Sequence, residues 1–166
     1  MKKVSSNQHK HETKNPLRRA LINHYNLALK NLIASQAKPD FKHGCLFDAG
    51  CGEGFVLEYL SQQFEFPTMI GVDISPEAVE EAKSRVPKAK FGVANLASLD
   101  FPKEIASLDQ SEFELVLCLE VLEHIPDFPR ALENLSKLSA KNFIISVPNE
   151  PFFRLSSLLA LKNVKR

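Results

Sequence analysis

A doubly wound α/β sheet with parallel strands and helices on both faces is the fold this sequence predicts. Three observations carry the prediction. Apolar, strand-like runs alternate with segments of helical periodicity, the links between them are short, and the chemically special residues collect where the strands end.

Residues 1 to about 15 are polar and rich in His and Lys, and read as an unpacked flexible tail. The cluster His9, Lys10, His11 is taken as part of that solvated tail rather than as a metal tract. One domain, 16–166, follows. Pro16 suits a first helical turn, and Leu17, Ala20, Leu21, Leu27, Ala28, Leu32 and Ile33 recur at helical spacing, so a helix over 16–37 ends before Pro39. Cys45–Ala49 is a first strand and Glu53–Phe64 a helix with Val56, Leu57, Leu60 and Phe64 inward. Thr68–Asp73 is a second strand. Ser75 is the expected N-cap of the next helix, with Pro76 in its first turn and Glu77 behind it. Ala89–Ala94 is a third strand. Glu114–Leu119 is a fourth, apolar after its first residue, as strands buried on both faces are. Asp127–Leu138 is a helix and Asn142–Val147 a fifth strand. The end of the chain places Phe152, Leu155, Leu158, Leu159 and Lys162 at helical spacing, predicting a helix over 152–164. It is expected to cover the sheet or line a pocket, with contact to a membrane or lipid-linked substrate as the alternative.

The bulk numbers bound the function. At 166 residues the chain has enough length for one three-layer core. Hydrophobic residues at 44% and charged residues at 25% are ordinary globular values. A net charge of +1 gives no electrostatic reason to expect nucleic acid. No apolar run approaches the ~20 residues of a bilayer span, and the basic start is followed by polar residues, unlike a secretory signal. No stable membrane insertion and a cytoplasmic location are expected. Cys45, Cys51 and Cys118 lack CxxC spacing and sit in or beside strands, as reduced thiols do.

In open parallel sheets the ligand lies across the carboxyl ends of the strands, where strand order reverses. At the first such end stands Asp48-Ala49-Gly50-Cys51-Gly52-Glu53-Gly54, an acidic residue and then three glycines at alternate positions opening a helix. Such a loop lets a ligand rest against the main chain and the N–H groups of a helix start. Asp73 ends the second strand about 20 residues later, where a carboxylate accepts from both hydroxyls of a ribose. The alternative is a capping or solvated strand end. A dinucleotide fingerprint prefers G-x-G-x-x-G, whereas this loop is G-x-G-x-G behind a carboxylate. Asp48 is awkward beside a pyrophosphate and useful beside a cation. S-adenosylmethionine carries a sulfonium, an ammonium and one carboxylate, and no phosphate.

With these residues in view, the sequence resembles the class I S-adenosylmethionine-dependent methyltransferases. The resemblance runs through Leu46–Gly54, Gly71–Pro76, Phe91–Leu96, Phe113–Val116 with Glu120–Ile125, and Asn142–Pro148, covering roughly residues 44 to 151. It implies a Rossmann-like sheet of five parallel strands in the order 3-2-1-4-5, with S-adenosyl-L-methionine as cofactor. It also implies roles. Asp48, Gly50, Cys51, Gly52 and Gly54 surround the methionine part, Asp73 holds the ribose, and Ile74 packs on adenine. Asn95 with Leu96 reads the adenine edge, and Leu119 and Glu120 lie near the methionine part and the methyl group. The family usually has Asp where Asn95 stands; an Asn can still accept from the adenine amino group and donate to a ring nitrogen. Class I enzymes usually add two strands after the fifth. The chain therefore reads as truncated, with strand five an exposed edge that the tail or a second copy in a homodimer covers.

Methyl transfer from a sulfonium has a neutral leaving group and needs no general acid. An oxygen acceptor can need a base, and His124, just past strand four, is the candidate; the alternative is a histidine that only hydrogen-bonds a loop. Glu120, Glu123 and His124 stand at i, i+3 and i+4 and share a face if that segment is a helical turn, a set able to bind Mg²⁺ or Mn²⁺. The string is similar to metal-dependent O-methyltransferases acting on quinone precursors and small-RNA ends, but many relatives with it use none, and no metal is assigned. The leading function is methyl transfer to a small-molecule acceptor at oxygen, nitrogen or carbon. The rivals are a cofactor-binding module without catalysis and, disfavoured by Asp48 and the loop spacing, a nicotinamide-dependent oxidoreductase.

Overall fold

The computed structural model describes residues 15–36, 41, 44–108 and 112–148, apart from the side chain of Arg18. The expected tail at 1–14 and the expected helix at 152–164 lie outside the described residues.

Helix α1 (Pro16–Gln36) opens on Asn15, whose side chain accepts from the Leu17 N–H at 3.0 Å. Leu29 and Ile33, one turn apart, are its buried residues, while Leu17, Leu21 and Leu27 stand more than half exposed. The helix therefore meets the core through its last turns. Strand β1 (Cys45–Ala49) leads through the glycine loop into α2 (Phe55–Gln63), whose Leu57 and Leu60 are buried. Strand β2 (Thr68–Asp73) precedes α3 (Pro76–Arg85), which starts as the sequence predicts: the Ser75 side chain accepts from the Ala78 N–H at 3.2 Å. Strand β3 (Lys90–Val93) is followed by α4 (Phe101–Leu108), an element the sequence reading left unassigned. After β4 (Phe113–Leu119) come a 3₁₀ turn (Leu122–His124), α5 (Phe128–Ser136) with Asp127 as N-cap, and β5 (Ala140–Ser146).

The strands form one parallel sheet in the order β3-β2-β1-β4-β5. Because side chains alternate across a strand, the sheet builds two cores. Phe47, Ile70, Val72, Val116 and Cys118 pack with Phe101 and Ile105 of α4 and Ala131 and Leu135 of α5. On the opposite face, Leu46, Met69, Leu115 and Leu117 pack with Leu29 and Ile33 of α1, Leu57 and Leu60 of α2, and Val79 and Ala82 of α3. Each fully buried Val, Leu, Ile, Phe or Met among them contributes about 1.5–3 kcal/mol by leaving water. Strand order reverses between β1 and β4, the two strands that run out beside the glycine loop. On β5, Phe143 and Ile145 remain exposed. Among the described residues no helix is long and apolar enough to cross a membrane.

Candidate functional site

The carboxyl ends of β1 and β2 are joined by the main chain. Gly50 and Cys51 N–H groups both donate to the Val72 carbonyl, at 2.8 and 2.9 Å. The next N–H, that of Gly52, donates to Asp73 Oδ2 at 2.9 Å, and the Ser75 N–H donates to Asp73 Oδ1 at 2.9 Å. Both oxygens of Asp73 are thus fixed by backbone donors, and each keeps a lone pair for a ligand. Three loop N–H groups are spent on shaping the loop itself. A carboxylate arriving here meets the first turn of α2 instead, to which Gly54 supplies no side-chain cap.

Two glycines are required by space and by backbone. Gly50 has φ +92°, and a Cβ there would overlap the Val121 side chain. Gly54 has φ +81° and lies against α3, where a Cβ would sit 3.1 Å from that of Ala82. Glycine at both positions lets the loop pass between the exit of β4 and the neighbouring helix. Arg85 of α3 locks it from outside. Its Nε donates to the Glu53 carbonyl at 2.9 Å, one amino group pairs with Glu58 at 3.3 Å, and the guanidinium lies 3.7 Å over the Phe55 ring.

Asp48 is 2% exposed, and its Oδ2 has no hydrogen-bond partner among the described residues. Burial, followed by the neighbouring Asp73 charge, pushes its carboxyl up to about 7. A buried acceptor with an unmade bond beside a glycine loop has the chemistry to receive a cationic or hydrogen-bond-donating group. The Cys51 thiol is driven far up by burial and by the Asp48 and Asp73 charges, and that of Cys118 is pushed up to about 12 by burial first. Both are packing groups rather than nucleophiles.

The remaining predicted positions divide. Ile74 stands exposed at the β2 exit. Asn95 is exposed, with its Oδ1 accepting from the Ala97 N–H at 3.0 Å. The Leu96 side chain is buried in the core, so any contact it makes with a ligand runs through its main chain. Leu119 is half-buried at the end of β4, and Glu120 follows it, exposed, accepting from Ser146 Oγ at 2.9 Å. His124 is 78% exposed, with its Nε2 3.8 Å from Glu123 Oε1. The helical turn expected to align Glu120, Glu123 and His124 begins only at Leu122, and Glu120 stands before it at φ +57°. The three do not share a helical face, and no group of three His, Cys, Asp or Glu residues able to hold a metal occurs among the described residues.

Four contributors escaped the sequence reading. Asn134 is buried on the core face of α5, and its amide donates to the carbonyls of Leu96 and Ser98 at 2.7 and 2.8 Å. Tyr25 of α1 approaches Ser146 Oγ at 3.4 Å. Arg85 locks the loop as described. An amide on an apolar helix face was a visible signal for Asn134, and a strand-end hydroxyl for Ser146; nothing local marked Tyr25.

The fold and this arrangement define an α/β domain with two carboxylates and a glycine loop at its strand ends, and comparison with known proteins gives the class. A profile described as the methyltransferase domain matches residues 21–163. The chain belongs to that family, within the class I S-adenosylmethionine-dependent methyltransferases. It is similar to the ubiquinone biosynthesis O-methyltransferase of Pelagibacter ubique (strain HTCC1062), with 31% identity over 134 residues, 80% of this chain and 52% of that protein. The enzyme of the same name from Coxiella burnetii (strain Dugway 5J108-111) shares 32% over 93 residues, 56% of this chain and 38% of that protein. The chain thus spans about half or less of these relatives. Among solved structures, the plantazolicin methyltransferase BamL, in complex with a triazolic desmethylPZN analog and SAH, superposes with a TM-score of 0.64 at 16% identity, over 95% of this chain and 61% of that one. SAM-bound CalS10, an amino pentose methyltransferase from Micromonospora echinaspora, gives 0.60 at 20%, over 76% and 50%. Identities this low speak for the fold.

Proposed function

We propose that this chain binds S-adenosyl-L-methionine across the ends of β1, β2 and β4 and transfers its methyl group to a small-molecule acceptor. The observation that carries this is the pair of carboxylates at adjacent strand ends: buried, under-bonded Asp48 and backbone-fixed Asp73, on either side of a positive-φ glycine loop. The residues fit the cofactor's chemistry. Asp48 faces the cationic methionine end, Asp73 presents two acceptors to the ribose diol, and exposed Ile74 offers an apolar surface to the base. When bound, the cofactor supplies a methyl on a positively charged sulfur. The chain's own task is to align an acceptor with that methyl and exclude water, which is worth up to ~7–11 kcal/mol for ideal alignment.

We also propose that the acceptor is free of nucleic acid, that the protein works in the cytoplasm without a metal, and that the open edge of β5 is covered by a second copy or by the segment following it. The domain is taken to comprise 16–166.

Isothermal titration with S-adenosylhomocysteine tests the core of the proposal. Binding by the wild type and an affinity loss of about ten-fold or more in Asp73→Asn are expected, since hydrogen bonds to a charged acceptor are replaced by weaker ones. Equal affinity in the folded variant, or binding of NADH in place of the nucleoside, refutes it.

A further inference from the structure

At the exit of β4, side chains from three separate elements form a hydrogen-bonded line that cofactor binding does not explain. Ser146 Oγ, in the last residue of β5, donates to Glu120 Oε1 at 2.9 Å. Its single proton is thereby committed, so Tyr25 of α1 is the donor across the 3.4 Å between its hydroxyl and Ser146 Oγ. The backbone repeats the connection, with the Glu120 N–H donating to the Ser146 carbonyl at 3.1 Å. Burial, then the Glu120, Asp48 and Glu123 charges, pushes the Tyr25 hydroxyl above its ordinary pKa and keeps it a donor at neutral pH.

Glu120 has φ +57°, the only non-glycine residue with positive φ among those described. Side chains rarely adopt that conformation, and such strain gathers where a group must be aimed. The next residue, Val121, fills the space a Cβ at Gly50 would take, so the Glu120–Val121 segment abuts the glycine loop. Glu120 Oε2 has no hydrogen-bond partner among the described residues. The side chain of His124, the sequence's candidate base, has no such anchor among the described residues and approaches Glu123 alone there, at 3.8 Å.

We propose that Glu120 receives the hydroxyl of the methyl acceptor, and that Ser146 and Tyr25 are positioning residues holding one of its oxygens so that the other meets that hydroxyl; this rests on the methyl-transfer function above. The acceptor class is a hydroxyl compound, such as a phenol or enol, whose O–H donates to the carboxylate and becomes acidic enough to yield its proton as the oxygen–methyl bond forms. An oxygen lone pair of the acceptor forms the bond to the methyl carbon. The carbon–sulfur bonding pair leaves with sulfur, which becomes a neutral thioether, and the O–H proton passes to Glu120, its bonding pair staying on oxygen.

Phenol and its methyl ether, anisole, differ by that proton and serve as probes. Calorimetry first gives each protein's affinity for S-adenosylhomocysteine, and circular dichroism its folded state. Each protein is then saturated with S-adenosylhomocysteine and titrated with phenol and with anisole by NMR. The wild type should prefer phenol by about ten-fold, as a hydrogen bond to a charged acceptor provides, and Glu120→Gln should lose most of that preference. Tyr25→Phe and Ser146→Ala should each lose about three-fold, and Tyr25→Phe combined with Glu120→Gln should lose no more than Glu120→Gln alone, because a positioning residue acts only through the carboxylate. A merely structural role instead weakens phenol and anisole alike, and losses that add in this way overturn the proposal. So does a wild type that holds anisole as tightly as phenol, or a Glu120→Gln variant that keeps the preference. Folded wild type that fails to take up S-adenosylhomocysteine overturns the parent function instead.

Discussion

Asp48 has an environment that the proposed cationic ligand would complete. Its carboxyl sits at the end of a strand buried on both faces, with one oxygen unpartnered and Asp73 nearby, and the charged form is disfavoured until about pH 7. Two opposite pH dependences follow. In the free protein the folded pKa lies above the ordinary 3.8, so the folded state holds the extra proton. Asp48's contribution to stability is full below about 3.8 and is lost as pH rises through about 7. A cationic ligand reverses the preference, because it needs the carboxylate. Affinity for S-adenosylmethionine should therefore rise between pH 6 and 8, by about ten-fold at most per pH unit. In Asp48→Asn both trends should flatten: the free protein's melting temperature should fall less between pH 4 and 7, and affinity should become weaker and nearly independent of pH. A pH-independent affinity in the wild type would contradict the assignment. The acidic side chain and its glycines were legible in the sequence because their types are unusual at a strand end. The unmade hydrogen bond was not, since it depends on everything packed around the carboxyl.

Among the elements, the loop after β3 depends on a helix almost forty residues away. The amide of Asn134, on α5, holds both the Leu96 and Ser98 carbonyls, and Asn95 closes its own turn onto the Ala97 N–H. Replacing Asn134 with Ala leaves two carbonyls without their donor and should cost about 1–3 kcal/mol. Hydrogen exchange should then quicken in residues 95–100 more than in the central strands, and S-adenosylhomocysteine should bind more weakly without a change at the Asp73 end. Uniform loss of protection would mean that Asn134 serves the core as a whole. Strands β1 and β2 were read to the residue, because they are apolar runs with single acidic or glycine positions near their ends, whereas β5 starts at Ala140, two residues before the expected Asn142. Helix α4 was missed although Phe101, Ile105 and Leu108 recur at i, i+4 and i+7 and Pro102 suits a first turn. It has only eight residues, about two turns, so the periodicity has too few repeats to stand out from the surrounding polar links. The 3₁₀ turn was misjudged for another reason: a helical spacing of charged residues was read as a helical face, while Glu120 belongs to the strand exit and turns the chain with a positive φ.

At the scale of the molecule, one sheet does two jobs that can be separated. Its interior supplies stability through the two cores, and its carboxyl edge carries the groups proposed to bind the cofactor, joined mainly by backbone hydrogen bonds such as those to Val72 and Asp73. Leu60, fully buried in α2, belongs to the interior: Leu60→Ala should lose about 2–5 kcal/mol through a cavity beneath the helix. Gly50, Asp48 and Asp73 belong to the edge. If the division holds, Leu60→Ala lowers the melting temperature yet binds S-adenosylhomocysteine with nearly the wild-type dissociation constant. Ligand at about 100 times that constant should restore ~2.7 kcal/mol in wild type and variant alike, because the gain depends only on binding to the folded state. Asp73→Asn should show the converse: a smaller fall in melting temperature than Leu60→Ala without ligand, from the one backbone N–H that the amide cannot accept, and a smaller rise with it. Thermal unfolding of the three proteins across a ligand series measures both quantities at once. A Leu60→Ala protein whose affinity collapses with its stability would show instead that the edge is held in shape by the core, so that cofactor recognition belongs to the whole fold rather than to the strand ends.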